Sequence, residues 1–141
     1  MMVEWTLKTH LVAALAVTIA AGSPAVAQTS PPATPTVTTV VVRLSSFAFS
    51  PDHLVLKAGV PVKLRLTNDS SGGHDFSAPA FFAASTIPPA STRPVDGAIA
   101  VPSEQTVEVT LVPRTPGHYP LTCTHFLHSF FGMKGAIDVT P

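Results

Sequence analysis

Cys123 is the one cysteine in a chain of 141 residues, and the residues after it are of the types that bind soft metals. Four residues separate Cys123 from His128, and four more separate His128 from Met133. A thiolate with imidazoles suits copper in both oxidation states, and a weak thioether tunes the potential without imposing a fixed geometry. Holding three donors on one short loop, with a strand on either side, limits rearrangement when an electron arrives. A fourth donor must come from another part of the chain. His74, just after the polar cluster at residues 68–73 and before Asp75-Phe76, is the best-placed candidate.

Three other chemistries fit parts of this pattern. A buried cysteine is often an inert structural thiol, but the spacing of His128 and Met133 argues against that here. Structural zinc sites favour more thiolates and short CxxC or HxxxH spacings, which are absent. Nucleophilic catalysis would need His125 or His128 to activate Cys123 in an open cleft, which a core-facing thiol does not provide. His125 itself reads as a solvent-facing loop residue. It could instead replace His128 as a ligand, or share a second copper with His118 or His53, two residues that otherwise read as ordinary surface histidines.

The elements that must position these donors are strands. Tyr119, Leu121 and Cys123 fall on one face of a strand, so the thiol should point inward at its end. Val62, Leu64 and Leu66 alternate with Lys63, Arg65 and Thr67, and Val107, Val109 and Leu111 alternate with Thr106, Glu108 and Thr110; this is the two-residue period of a half-buried strand. Thr38 to Phe49 is rich in β-branched and aromatic residues, His53 to Lys57 puts Leu54 and Leu56 on one face, and Gly135 to Val139 resumes as a strand. Asp52, Gly59, the 68–73 cluster and Pro116-Gly117 supply turns. Short strands without a sustained helical period predict an all-β sandwich or barrel. Ala78 to Pro94 is the exception: Phe81 to Ala84 can form one helical turn, prolines break anything longer, and the stretch reads as a loop insertion covering part of the core.

The rest of the chain sets the context. Its length suits one domain, and a formal net charge of zero with only 11% charged residues gives no basic stripe for nucleic acid. Residues 1–27 read as a signal peptide: Lys8, the apolar run Leu11 to Ala20, and the small-x-small site Ala25-Val26-Ala27. That run is short for a membrane span, so no stable insertion is expected once it is removed. Residues 28–37 read as a Pro/Thr-rich linker and 38–141 as the folded domain. The lone cysteine of an exported chain is an intermolecular disulfide partner, a buried inert thiol, or a reactive or ligating thiol, and its neighbours must decide between these.

Cys123-x4-His128-x4-Met133, with Gly132-Met133-Lys134, resembles the ligand loop of the cupredoxins, the blue-copper proteins. The likeness is to plastocyanin/azurin-like bacterial members, with phytocyanin-like ligand spacing. Phe47-x-Phe49-x-Pro51, Leu54-x-Leu56-Lys57-Ala58-Gly59, the strand ending at Asn68, His74-Asp75-Phe76 and Gly117-x-Tyr119-x-Leu121-x-Cys123 are similar to other segments of that family. The resemblance implies a Greek-key β-sandwich with His74, Cys123 and His128 as equatorial ligands of one type 1 copper and Met133 as the axial ligand. It implies a periplasmic one-electron carrier, monomeric and not an enzyme, docking a redox partner through the apolar Phe126–Phe131 loop. Copper tolerance or delivery is the alternative reading. The oxidase reading is set aside: Thr122 and Thr124 flank Cys123 where multicopper oxidases carry histidines. Two features depart from the family pattern. Asp75 stands where many relatives have an asparagine that braces the cysteine loop, and the spacer Thr124 to Leu127 is bulky.

Overall fold

The computed structural model describes residues 36–125 and 131–141. Within them the alternating segments form strands because each has one apolar face to bury and one polar face to leave in water. The elements in chain order are β1 (Thr38–Ser45), β2 (Ala48–Ser50), β3 (His53–Lys57), β4 (Val62–Asn68), β5 (His74–Ser77), α1 (Pro79–Ala83), β6 (Ser85–Thr86), β7 (Ala98–Val101), β8 (Thr106–Pro113), β9 (Gly117–Thr122) and β10 (Lys134–Thr140). They build two five-stranded sheets, ordered β2-β1-β4-β8-β6 and β3-β10-β9-β5-β7. β1 runs parallel to β4 and β3 parallel to β10, and the other pairings are antiparallel. The fold is the all-β sandwich expected from the sequence.

The core lies between the sheets. Leu64, Leu66, Val109 and Leu111 from one sheet face Phe76, Leu121 and Ile137 from the other, all fully buried. The helical turn starts on Pro79, whose missing N–H costs nothing at the first helical position. It buries Phe81 against Tyr119, with ring centroids 5.9 Å apart, and Phe82 against Phe76 at 6.1 Å. The insertion therefore covers the core, as anticipated. The short strands β6 and β7 were not anticipated: two and four residues are too few to show a period.

Two contacts fix the end of the sandwich that carries Cys123. β9 and β10 pair with Thr122 opposite Lys134, so the chain leaves one strand at Cys123 and re-enters the next just after Met133. Gly135 lies so close to the Asp52 carbonyl that a Cβ would collide with it. This lets the Ala136 N–H donate to that same carbonyl at 2.8 Å.

Candidate metal centre

The thiol faces inward, as strand alternation requires. Cys123, Leu121 and Tyr119 are all buried, and the strand is pinned at its far end by the Tyr119 hydroxyl, which donates to the Thr115 carbonyl at 2.8 Å. His74 opens β5 and is also buried. Its Nδ1 stands 3.8 Å from Cys123 Sγ, across 49 residues of sequence. Metal bonds of about 2.1 Å to nitrogen and about 2.3 Å to thiolate, opened to a trigonal angle of about 120°, put those two atoms about 3.8 Å apart. The two donors are thus spaced to share one ion.

The imidazole is oriented by a relay running away from the thiol. His74 Nε2 lies 2.9 Å from Ser70 Oγ. The Ser70 hydroxyl donates to Asn68 Oδ1 at 2.7 Å, so it can only accept from His74. Asn68 cannot be turned around, because its amide nitrogen faces three carbonyls, those of Gly72, Val101 and Pro102 at 2.8, 3.0 and 3.1 Å, which its two N–H groups share. Nε2 therefore carries the proton, and the Nδ1 lone pair points toward Cys123. An outer partner of this kind is what holds a metal-ligating histidine in tautomer and orientation.

Asp75 supports the other side. Its Oδ1 accepts the Thr124 N–H at 2.8 Å, and its Oδ2 accepts the Thr124 hydroxyl. The bracing role that asparagine has in many relatives is thus geometrically available to the aspartate. Burial pushes the Cys123 thiol above its ordinary pKa, and the Asp75 carboxylate adds to this. The backbone N–H groups of Asp75 and His125 oppose that shift by donating to the sulfur. A cation must then displace a proton from Cys123, so metal uptake and proton release are coupled.

Met133 is fully buried, and its carbonyl accepts the Cys123 N–H at 3.2 Å. This joins the two ends of the loop. Gly132 takes φ +102°, where a side chain would be strained, and its carbonyl accepts the Lys134 N–H at 2.7 Å. His128 lies outside the described residues, as do Phe126–Phe130 of the expected docking loop, residues 1–27 and most of the 28–37 linker. Among the described residues, no group of three or more His, Cys, Asp or Glu forms a metal site.

His125 is exposed, as expected, yet its ring sits 6.4 Å from that of His74, edge on. His53 and His118 are engaged elsewhere. His53 Nε2 is 2.7 Å from one Asp138 oxygen and His118 Nδ1 is 2.6 Å from the other, on the solvent face of β3, β10 and β9. Sequence reasoning missed the roles of Ser70 and Asn68, whose types mark a turn and a strand end but not the support of a ligand. The one available signal was an Asn and a Ser close before a candidate ligand.

The comparisons agree with this fold. Residues 11–139 match a family described as a cupredoxin-like domain. A search of curated proteins gives no match. Among solved structures, auracyanin from Roseiflexus castenholzii in its dithionite-reduced form superposes with a TM-score of 0.58 at 18% identity, covering 74% of this chain and 98% of that one. Auracyanin B superposes at 0.55 with 27% identity, covering 80% and 93%. The McoA multicopper oxidase of Aquifex aeolicus superposes at 0.59 with 13% identity over 82% of this chain but only 32% of its own. With residues 11–139 matching that family, and a buried thiol spaced to share an ion with an oriented imidazole inside a sandwich of this topology, the chain belongs to the cupredoxin-like family.

Proposed function

We propose that this chain is a periplasmic type 1 copper protein that carries single electrons between redox partners. Its ligands would be His74 Nδ1, the Cys123 thiolate and His128, with Met133 as the axial donor. The observation that carries the reading is the 3.8 Å approach of Cys123 Sγ to His74 Nδ1, with the imidazole tautomer fixed by Ser70 and Asn68. Copper, when bound, supplies a one-electron couple, and the protein supplies a site that changes little between the two states. Ser70 and Asn68 hold His74, Asp75 holds Thr124 beside the thiolate, and the Met133 carbonyl holds the Cys123 backbone. These restraints act before the metal arrives, which is the basis of a low reorganisation cost. Full burial of Cys123 and Met133 keeps water from the sulfur donors.

Phe131 is 57% exposed at the end of the ligand loop. With Phe47, 41% exposed and 5.2 Å away ring to ring, it forms an exposed apolar pair, which supports docking of a redox partner there. Export to the periplasm rests on the character of residues 1–27. The test is cyclic reduction and oxidation of the copper-loaded protein in the presence of a modest Cu(I) chelator. Electron carriage predicts repeated one-electron cycling with the copper retained. Ready loss of Cu(I) to the chelator would overturn it in favour of copper delivery.

A further inference from the structure

The turn between β1 and β2 has only two residues, Ser46 and Phe47, because Ser45 pairs with Ala48. Phe47 takes φ +62°. At the second central position of a tight turn, that left-handed conformation calls for glycine or asparagine, and a bulky aromatic there is a steric outlier. Such outliers persist where the surroundings over-determine them, and they cluster at functional sites. Here the strained backbone aims the Phe47 ring at the ligand loop. Its centroid lies 5.2 Å from that of Phe131, with the rings tilted by 53°. Phe131 is two residues before Met133, and the Met133 carbonyl accepts the Cys123 N–H.

The end of β1 that leads into this turn is tied to the segment that precedes His74. The Leu44 carbonyl accepts the Asp69 N–H at 3.1 Å, and Arg43 pairs with the Asp69 carboxylate at 2.6 Å. Asp69 adjoins Asn68 and Ser70, the two residues that orient His74. The end of β1 and the turn it leads into therefore touch both segments, β1 through Asp69 on one side and the turn through the Phe47 ring on the other.

We infer that Phe47 is a positioning residue for the metal centre, its left-handed backbone holding its ring against Phe131 so that the Met133 end of the ligand loop is fixed relative to His74. The ring, not the turn, does the holding. Phe47→Gly relieves the backbone strain while removing the ring, so it separates the two, and Phe47→Asn does the same with a side chain that tolerates this conformation. Phe47→Tyr keeps the ring.

The decisive measurement is amide hydrogen exchange in the metal-free full chain, read at Cys123 and Lys134, whose N–H groups bond to Met133 and Gly132. In Phe47→Gly and Phe47→Asn both amides should exchange about threefold to tenfold faster, the range set by the coupling of an aromatic pair. Phe47→Tyr should match the parent. Unchanged exchange at Cys123 and Lys134 in both ring-less variants, or acceleration in Phe47→Tyr as large as in Phe47→Gly, would overturn the inference. Copper release is a second readout, and it alone rests on the reading of Met133 as a ligand: it should speed up in Phe47→Gly and not in Phe47→Tyr. Because exchange is read without metal, its failure counts against the aromatic clamp, whereas failure of the parent to bind copper counts against the ligand assignment.

Discussion

Replacing Asp75 by alanine removes the carboxylate that accepts both the Thr124 N–H and the Thr124 hydroxyl. A hydrogen bond to a charged group contributes roughly 1.5–3 kcal/mol net. The two bonds do not count equally, because Thr124 is exposed and its hydroxyl can turn to water. The backbone N–H cannot reorient as a hydroxyl can and keeps most of its loss, so Asp75→Ala should cost about 2 kcal/mol. Asp75→Asn retains an oxygen for the N–H, and its amide can donate to the hydroxyl, so it should cost less than about 1 kcal/mol. Urea unfolding of the metal-free protein reads both. With a slope of about 1–3 kcal/mol per molar for a small domain, 2 kcal/mol moves the midpoint down by about 1 M. An unmoved midpoint in Asp75→Ala, or equal losses in the two variants, would refute the brace. Asp75→Asn should also lower the Cys123 pKa, because the carboxylate's field is one of the causes raising it. Thiolate ultraviolet absorbance against pH measures this.

Ser70→Ala should weaken copper binding by about 10–100-fold, the usual loss on removing an outer partner of a metal-ligating histidine; competition with a chelator measures it, and unchanged affinity would contradict the relay. Phe76 is fully buried and packs edge on against Phe49 and Phe82 at 6.0 and 6.1 Å. Phe76→Ala should cost about 3–5 kcal/mol in chemical denaturation; a near-zero loss would mean the sheets do not pack as described. The Asp138 carboxyl is held below its ordinary pKa of 3.8 by hydrogen bonds from His118 and then His53. A depressed folded pKa contributes stability that is present above the unfolded value and is lost as pH falls through the folded one. Stability should therefore drop below about pH 4, and Asp138→Asn should flatten that slope in acid titrations followed by circular dichroism.

What the sequence made legible follows from where each constraint lies. β4 and β8 show clear alternation because one face of each is buried and the other solvated. Cys123 could be aimed inward because Tyr119 and Leu121 share its face. β7 was not legible: Ala98–Val101 is a four-residue edge strand between Gly97 and Pro102, apolar throughout, so no polar–apolar alternation marks it and only its pairing with β5 makes it a strand. Asn68 was read as a turn-former. Its role depends on the carbonyls of Val101 and Pro102, more than thirty residues away, and no local pattern carries that. The His53–Asp138–His118 cluster depends likewise on the register of three strands. The turn at Ser46 and Phe47 was not legible: Thr38 to Phe49 reads as β-forming throughout, and Ser45-Ser46 without a glycine is a weak turn signal.

The central claim is that Cys123 and His74 share one copper through thiolate and Nδ1. The visible spectrum of the copper-loaded protein tests it most directly, read alongside Cys123→Ser and His74→Ala. The parent should show one intense thiolate-to-copper charge-transfer band, lost in Cys123→Ser and abolished or displaced in His74→Ala. A colourless copper-loaded parent, or a band that survives Cys123→Ser, would contradict it.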